Sequence, residues 1–304
     1  MIKSVTVINH LGESLKMELM NPEKSGFAIK SISGLGPSKA DIHMTDFATV
    51  DGAIDNSARI ESRDITLDLI FYANPTIEDT RLLSYKYFPS KQMVTLIFET
   101  DNRTAYTQGR VESNEPSIFS TNKKDHVGCK ISILCPDSFM YSIGGDRHIF
   151  NGIEPLFEFP FTNEVETKTL QMGSISQYTE RNVSYEGDAE TGVIIVLHAL
   201  GTIRDFAIYN TTTREVIKID DDKYTAILGS GISASDEITI NTSVGKKSIT
   251  ALRGGVTYNI LNVLDKDPDW FQLSKGDNVF VYTVSYGLEN VQLTIKNEIA
   301  YYGV

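Results

Sequence analysis

The chain has 304 residues, 41% of them apolar and 22% charged, with a formal net charge of −12. That length exceeds one ordinary core and suits two domains of about 150 residues. The acidity argues against a surface for nucleic-acid phosphates, which needs a basic patch, and no apolar run approaches the ~20 residues of a membrane-spanning helix.

The start, Met1-Ile-Lys-Ser-Val-Thr-Val, lacks a signal-peptide core, so synthesis in the cytoplasm is expected. Past the Asn21-Pro22 turn comes Gly34-Leu-Gly-Pro37, followed by Lys39-Ala40. Asp51-Gly52, set between Phe47 to Val50 and Ala53-Ile54, is a hairpin signal. Arg59 to Arg63 lead into a strand, Ile65 to Tyr72, in which Ile65, Leu67, Leu69 and Phe71 alternate with Thr66, Asp68 and Ile70. One helix is expected over Thr76 to Phe88. Thr76 can cap its first turn with help from Asp79, and Pro89 ends it. Ile77, Leu82, Tyr85 and Phe88 share one arc of that helix. Leu83 and Tyr87 fall outside it and are expected to touch a second subunit or a loop of the same chain.

Strands resume at Met93 to Phe98, where Val94, Leu96 and Phe98 alternate, and the pattern continues through Ile131, Ile133 and Cys135. Gly109-Arg-Val-Glu112 and Ser132-Ile-Leu-Cys-Pro136 are the remaining short motifs of the first 145 residues. Cys129 and Cys135 lie on one apparent strand, about 20 Å apart at ~3.3 Å per residue, which forbids a disulfide and leaves buried thiols. The best domain boundary is Ser142-Ile-Gly-Gly-Asp146, followed by an irregular stretch at Asn151 to Pro160. Val193 to Leu197, Ile238 to Thr242, Val279 to Val284 and Val291 to Ile295 read as further strands. Gly144-Gly145, Gly254-Gly255 and Lys275-Gly-Asp277 punctuate them as turns. Residues 1–145 hold 15 Lys+Arg and 18 Asp+Glu, the rest 13 and 22, so most of the acidity is in the second half. The fold class is mainly β: two β-sandwich domains, 1–143 and 144–304, the first with one flanking helix.

Candidate chemistry is thin. Gly229-Ser-Gly231-Ile-Ser-Ala234 imitates a dinucleotide fingerprint, but Glu237 to Thr242 reads as a strand where the phosphate-binding helix should begin, so a turn is expected. Gly245-Lys-Lys-Ser248 lacks the upstream glycine of a phosphate loop, because that position is Ile240. Asp220-Asp-Asp222, and Asp265 with Asp267 and Asp269, lack the alternation and central glycine of a calcium loop and read as charged turns. His10, His43, His126, His148 and His198 form no pair at metal spacing, and no nucleophile elbow is present. No catalytic, metal or cofactor site is expected, and no cofactor. Asp269-Trp270-Phe271 is the one stretch with a sugar-stacking alternative to core packing.

Taken in order, the motifs of the first half resemble those of phage distal tail proteins. They are Gly34 to Pro37, the arginine-containing strand entry, the Ile77 to Phe88 helix with its Arg81, and Gly109 to Glu112. More loosely, Trp270-Phe271-Gln-Leu273, Gly276-Asp-Asn278 and Tyr301-Tyr302-Gly303 are similar to the family's C-terminal domain. The resemblance implies a tail-tube-like ring-forming domain at 1–143 and a galectin-like β-sandwich at 144–304 that lies outside the ring. It implies a non-enzymatic virion protein of the tail tip, made in the host bacterial cytoplasm. Six copies would form a homohexameric ring that joins the tail tube protein to the tail-tip or baseplate hub and to receptor-binding or adsorption proteins. DNA would transit its channel without specific binding, and no membrane partner is implied. On that reading Asp46, Asp51 and Asp55 would face the lumen, where acids repel DNA, and Leu83 and Tyr87 would meet a neighbouring subunit. The competing class is a carbohydrate-binding module that recognises cell-wall glycans through its C-terminal domain.

Overall fold

The structure is a computed structural model and describes residues 1–47, 49, 51–117, 127–155, 173–264 and 268–304. The protein is mainly β, and it divides into two compact units, residues 1–143 with 300–304, and residues 144–299. The last five residues therefore belong to the first unit, where the sequence pattern had assigned them to the second.

In the first unit the strands are β1 (Ile2–Ile8), β2 (Ser14–Glu18), β3 (Phe27–Ser33), β4 (Ala40–Asp46), β5 (Ala53–Ile60), β6 (Arg63–Phe71), β7 (Met93–Thr100), β8 (Thr104–Pro116), β9 (Val127–Cys135) and β10 (Met140–Ser142), with α1 at Ile77–Tyr87. Its main sheet runs β2-β1-β7-β8-β9-β6-β3, while β4 and β5 pair only with each other. Period-two burial drives the arrangement. Ile65, Leu67, Leu69 and Phe71 of β6 point inward with Val127, Cys129, Ile131, Ile133 and Cys135 of β9. Met17 from one edge strand and Phe27 from the other join the same core, so the sheet curls until both edges share it. Each fully buried Leu, Ile or Phe contributes roughly 1.5–3 kcal/mol. Both cysteines are buried free thiols, and burial pushes the Cys129 thiol up to about 12.

Helix α1 forms as its caps dictate: the Thr76 hydroxyl accepts the Asp79 N–H at 3.1 Å. Only half of the expected apolar arc faces inward: Phe88 is buried and Ile77 packs against the core. Thr80, Ser84 and Tyr87 are buried and Leu83 packs partly buried against the core, while Leu82 is 53% exposed and Tyr85 faces out. Small hydroxyl residues decide this. Thr80 Oγ1 donates to Tyr72 O at 2.7 Å and Ser84 Oγ to Arg81 O at 2.7 Å, so both sink into the interface without an open polar atom.

The second unit contains β11 (Asp146–Ile149), β12 (Asn151–Pro155), β13 (Gly173–Gln177), β14 (Glu180–Tyr185), β15 (Thr191–Ala199), β16 (Ala207–Asn210), β17 (Glu215–Lys218), α2 (Asp221–Leu228), β18 (Glu237–Asn241), β19 (Ser248–Arg253), β20 (Val256–Asn259), β21 (Gln272–Leu273), β22 (Gly276–Thr283) and β23 (Val291–Asn297). Sheets β11-β23-β15-β18-β19-β20 and β14-β22-β16-β17 enclose one core, a β-sandwich, with Val193, Ile195 and Ile295 from the first sheet against Tyr185, Ile208 and Phe280 from the second. Helix α2 stands where the run Asp220-Asp-Asp222 predicts a charged turn. Asp220 caps it by accepting the Asp222 and Lys223 N–H groups, and Gly229 closes it at φ +80°. The last strand, β24 (Ala300–Tyr301), returns to the first unit and pairs with β10.

Candidate assembly interface

The β4–β5 ribbon stands out because no residue of either strand is buried. Its register shows that the exposure is not uniform in chemistry. Ala40 pairs with Ile60 and Ile42 with Ala58, and Met44 follows two residues along β4, so these five side chains share one face. On the opposite face Asp41 pairs with Arg59 and His43 with Ser57, with an Arg59–Asp41 ion pair at 3.0 Å and an Asn56–Thr45 side-chain bond at 2.6 Å. A bulge falls between His43 and Met44. One face is therefore internally satisfied, and the other is an apolar row, with Ile42 52% and Met44 60% exposed, that ends at the tip in Asp46 and in Asp55 opposite Met44.

Asp46, Asp51 and Asp55 all lie at the tip of this ribbon and are exposed: Asp46 ends β4, Asp51 is in the connection and Asp55 is opposite Met44. Residues 51–56 and 44–47 contain these three acids and no Lys or Arg. Phe47 lies in the connection rather than in a strand. Leu83 and Tyr87, expected to be outward contact residues, face the core instead, with Tyr87 9% exposed; Leu82 and Tyr85 are the positions open to a neighbour.

Two of the short motifs of the first half, Gly34 to Pro37 and the strand entry Arg59 to Arg63, meet at one buried side chain, Arg63, which is 2% exposed. It occupies an inward position of β6, and its guanidinium donates to Gly34 O, Gly36 O (2.7 Å), Ser138 O (2.8 Å) and Tyr302 O (2.7 Å). No carboxylate pairs with it among the described residues, and burial lowers its pKa from the ordinary arginine value. Gly34 adopts φ +84°, and a Cβ there would lie 1.9 Å from Asp64 O, so only glycine lets this loop reach the arginine. Gly109 meets the same limit, since a Cβ would lie 2.7 Å from Cys135 Sγ. Four carbonyls around a guanidinium supply no nucleophile or base. The arrangement is a clamp.

In the second unit the motif-like stretches resolve into structure. Gly229 ends α2 rather than opening a helix, and β18 follows. Asp269 Oδ2 accepts the Val216 N–H at 2.9 Å; Asp265, Asp267 and His126 lie outside the described residues. Among the described residues no three His, Cys, Asp or Glu side chains gather as a metal site would require. Trp270 packs half-buried against the core with Lys247 Nζ 5.3 Å from its ring centroid, and Phe271 is fully buried, so this stretch offers no open aromatic platform.

No protein-family model matches the chain, and no curated protein does. Solved structures do match. The SPP1 Dit protein, described as a paradigm of the hub adsorption apparatus in phages infecting Gram-positive bacteria, superposes with a TM-score of 0.63 over 97% of this chain and 98% of its own, at 12% identity. The chain has the Dit fold. A chain of the phage P2 baseplate, in its activated conformation with Ca, matches with a TM-score of 0.52 over 98% of both chains at 13% identity. The Dit fold thus extends through both units, including the half whose sequence resemblance was looser. Arg63 and its glycines lie inside this shared fold.

Proposed function

We propose that the protein is a structural subunit of a phage tail tip: six copies close into a ring that joins the tail tube to hub and adsorption proteins and lets DNA pass. The near full-length agreement with a phage hub protein carries this reading. The ribbon supports it. A two-stranded ribbon alone is marginal in water, and an exposed apolar row marks a surface that needs a partner. A closed ring repeats one heterologous contact, so the apolar face of β4–β5 in each copy is covered by the next. Leu82 and Tyr85 of α1 are open to the same use. The acidic tip, with Asp46, Asp51 and Asp55, faces the channel and repels the DNA phosphates. The second unit meets the peripheral components. The role requires assembly and no catalysis.

Light scattering behind a sizing column tests this. The expected mass is near six times the 33.8 kDa of the chain, alone or with the tail tube protein added. Ile42→Glu should give a monomer with an unchanged circular dichroism spectrum, because Ile42 supports no core. A wild-type chain that stays monomeric in both conditions overturns the ring.

A further inference from the structure

The β4–β5 ribbon joins the first unit through two roots, residues 34–39 before β4 and residues 61–63 after β5. The two strands pair only with each other and bury no residue, so the roots carry the placement of the ribbon. A two-stranded ribbon is marginal in water unless something else holds it. What grips the roots therefore decides whether the apolar row is presented at all.

Residues 300–304 grip both. At the second root, Tyr302 O accepts from Arg63 Nη2 at 2.7 Å. The same guanidinium crosses to the first root, donating through Nη1 to Gly36 O at 2.7 Å. The Val304 N–H donates to Leu35 O at 3.1 Å on that first root. Gly303 lies against the same loop so closely that a Cβ would collide with Leu35 O and stand 3.1 Å from Gly36 Cα. Backbone meets backbone there, which only glycine permits. Ser138 completes the mount: its Oγ donates to Glu61 O at 2.8 Å, and its carbonyl accepts from Ser38 Oγ at 3.2 Å. The Glu61 N–H donates to Lys39 O at 2.9 Å and closes the roots on each other, one step below the Ala40–Ile60 pair that opens the ribbon. Leu35, Tyr301 and Val304 pack partly buried against the core, so apolar contact seals the mount.

The gripping segment has no free length. Ile299 packs partly buried against the core of the second unit, and the next residue, Ala300, is 1% exposed in the first and pairs with Tyr141. A shift at Ile299 thus reaches the roots with no slack residue to absorb it. We propose that residues 300–304 are a strap that fixes the ribbon to the first unit and ties its placement to the second. The strap follows from these contacts alone; it rests on the ring reading only for the use to which the ribbon is put.

Hydrogen–deuterium exchange of the full chain, read by mass spectrometry on peptides within residues 40–60, tests it. Gly303→Val drives a side chain into Leu35 O, so the ribbon amides should exchange roughly tenfold faster or more, while β9 and β15 keep their wild-type rates. Val304→Pro removes one donor and should speed the ribbon about fivefold, the size of one hydrogen bond. It decides the matter if Gly303→Val does not fold. Gly36→Ala, whose Cβ meets nothing within 4 Å, should leave the rates unchanged. Inserting about eight Gly and Ser residues between Ile299 and Ala300 keeps every strap contact but adds slack, and the loop-closure cost should speed ribbon exchange about tenfold. Unchanged ribbon exchange in Val304→Pro overturns the strap, as does a rise that spreads equally to β9. An insertion without effect overturns the tie to the second unit. Light scattering on the same samples reports the ring separately, so a monomeric wild type removes the ring and not the strap.

Discussion

Arg63 Nη2 donates to the carbonyl of Tyr302 at 2.7 Å, joining positions 239 residues apart in the chain. The bond ties the chain end to the start of β6. Around it β24 pairs with β10, the Val304 N–H donates to Leu35 O at 3.1 Å, and Arg103 lies over the Tyr301 ring at 4.4 Å. A charge buried without a counter-ion survives here because backbone carbonyls satisfy both terminal nitrogens of the guanidinium.

Arg63→Met should destabilise the first unit by at least ~3 kcal/mol, since several buried carbonyls lose their donor at ~1–3 kcal/mol each. The chain has a single tryptophan, Trp270, in the second unit. Urea unfolding followed by circular dichroism should therefore show an earlier first transition, while Trp270 fluorescence keeps its midpoint. Coincident shifts of both signals would contradict a clamp local to the first unit.

Tyr87→Ala should cost ~3 kcal/mol or more, because a large buried ring leaves a cavity. Leu82→Ala on the same helix should stay within ~0.5 kcal/mol, as exposed substitutions do. Denaturant midpoints of the two variants decide which face α1 buries.

Asp236 and Arg253 form a second internal lock, in the second unit. Arg253 Nε donates to Asp236 Oδ1 at 2.7 Å, Arg253 Nη2 donates to Asp236 Oδ2, and the Ser233 N–H donates to the same oxygen at 2.8 Å. Burial pushes the Asp236 carboxyl up, but the Arg253 and Ser233 hydrogen bonds outweigh it and hold the group below its ordinary value. A depressed carboxylate stabilises the fold above its unfolded pKa of ~3.9 and loses that contribution as pH falls through the folded value. Trp270 fluorescence should thus report acid destabilisation below about pH 4, and Asp236→Asn should flatten that dependence. Arg253→Met at neutral pH should cost ~3–5 kcal/mol, because it strands a buried carboxylate.

Replacing Asp46, Asp51 and Asp55 together with lysine should leave the thermal unfolding curve nearly unchanged, since all three are exposed. Assembled into particles, the same variant should slow DNA release, because cations at the ribbon tip attract phosphate. DNA-release kinetics measured by dye fluorescence at two salt concentrations would read it. Unchanged rates at low salt would remove the ribbon tip from the channel.

The strands were legible because their signal is local. Ile65 to Phe71 and Val94 to Phe98 alternate as the pleat demands, and the Thr76 cap and Pro89 stop mark α1 within a dozen residues. Helix α2 carried cap signals of its own in Asp220 and Gly229, but eight residues with a weak apolar stripe did not separate it from a turn. That Gly34, Gly36, Ser138 and Tyr302 gather around Arg63 was not legible, because they belong to separate segments of the chain.

By itself the sequence determined the β class, the hairpin around Asp51-Gly52, the capped helix and the spacing that keeps Cys129 and Cys135 apart. Pleat, cap and turn chemistry act between neighbours in the chain. Tertiary packing alone decided the rest: that α1 buries Thr80 and Ser84 instead of Leu82, that the chain end returns to Arg63, and that the Ile42 and Met44 row of β4 finds no cover among the described residues of its unit. Those outcomes depend on which surfaces meet across tens to hundreds of residues, and free energy is minimised there by whole faces and satisfied polar groups, which no local window of sequence contains.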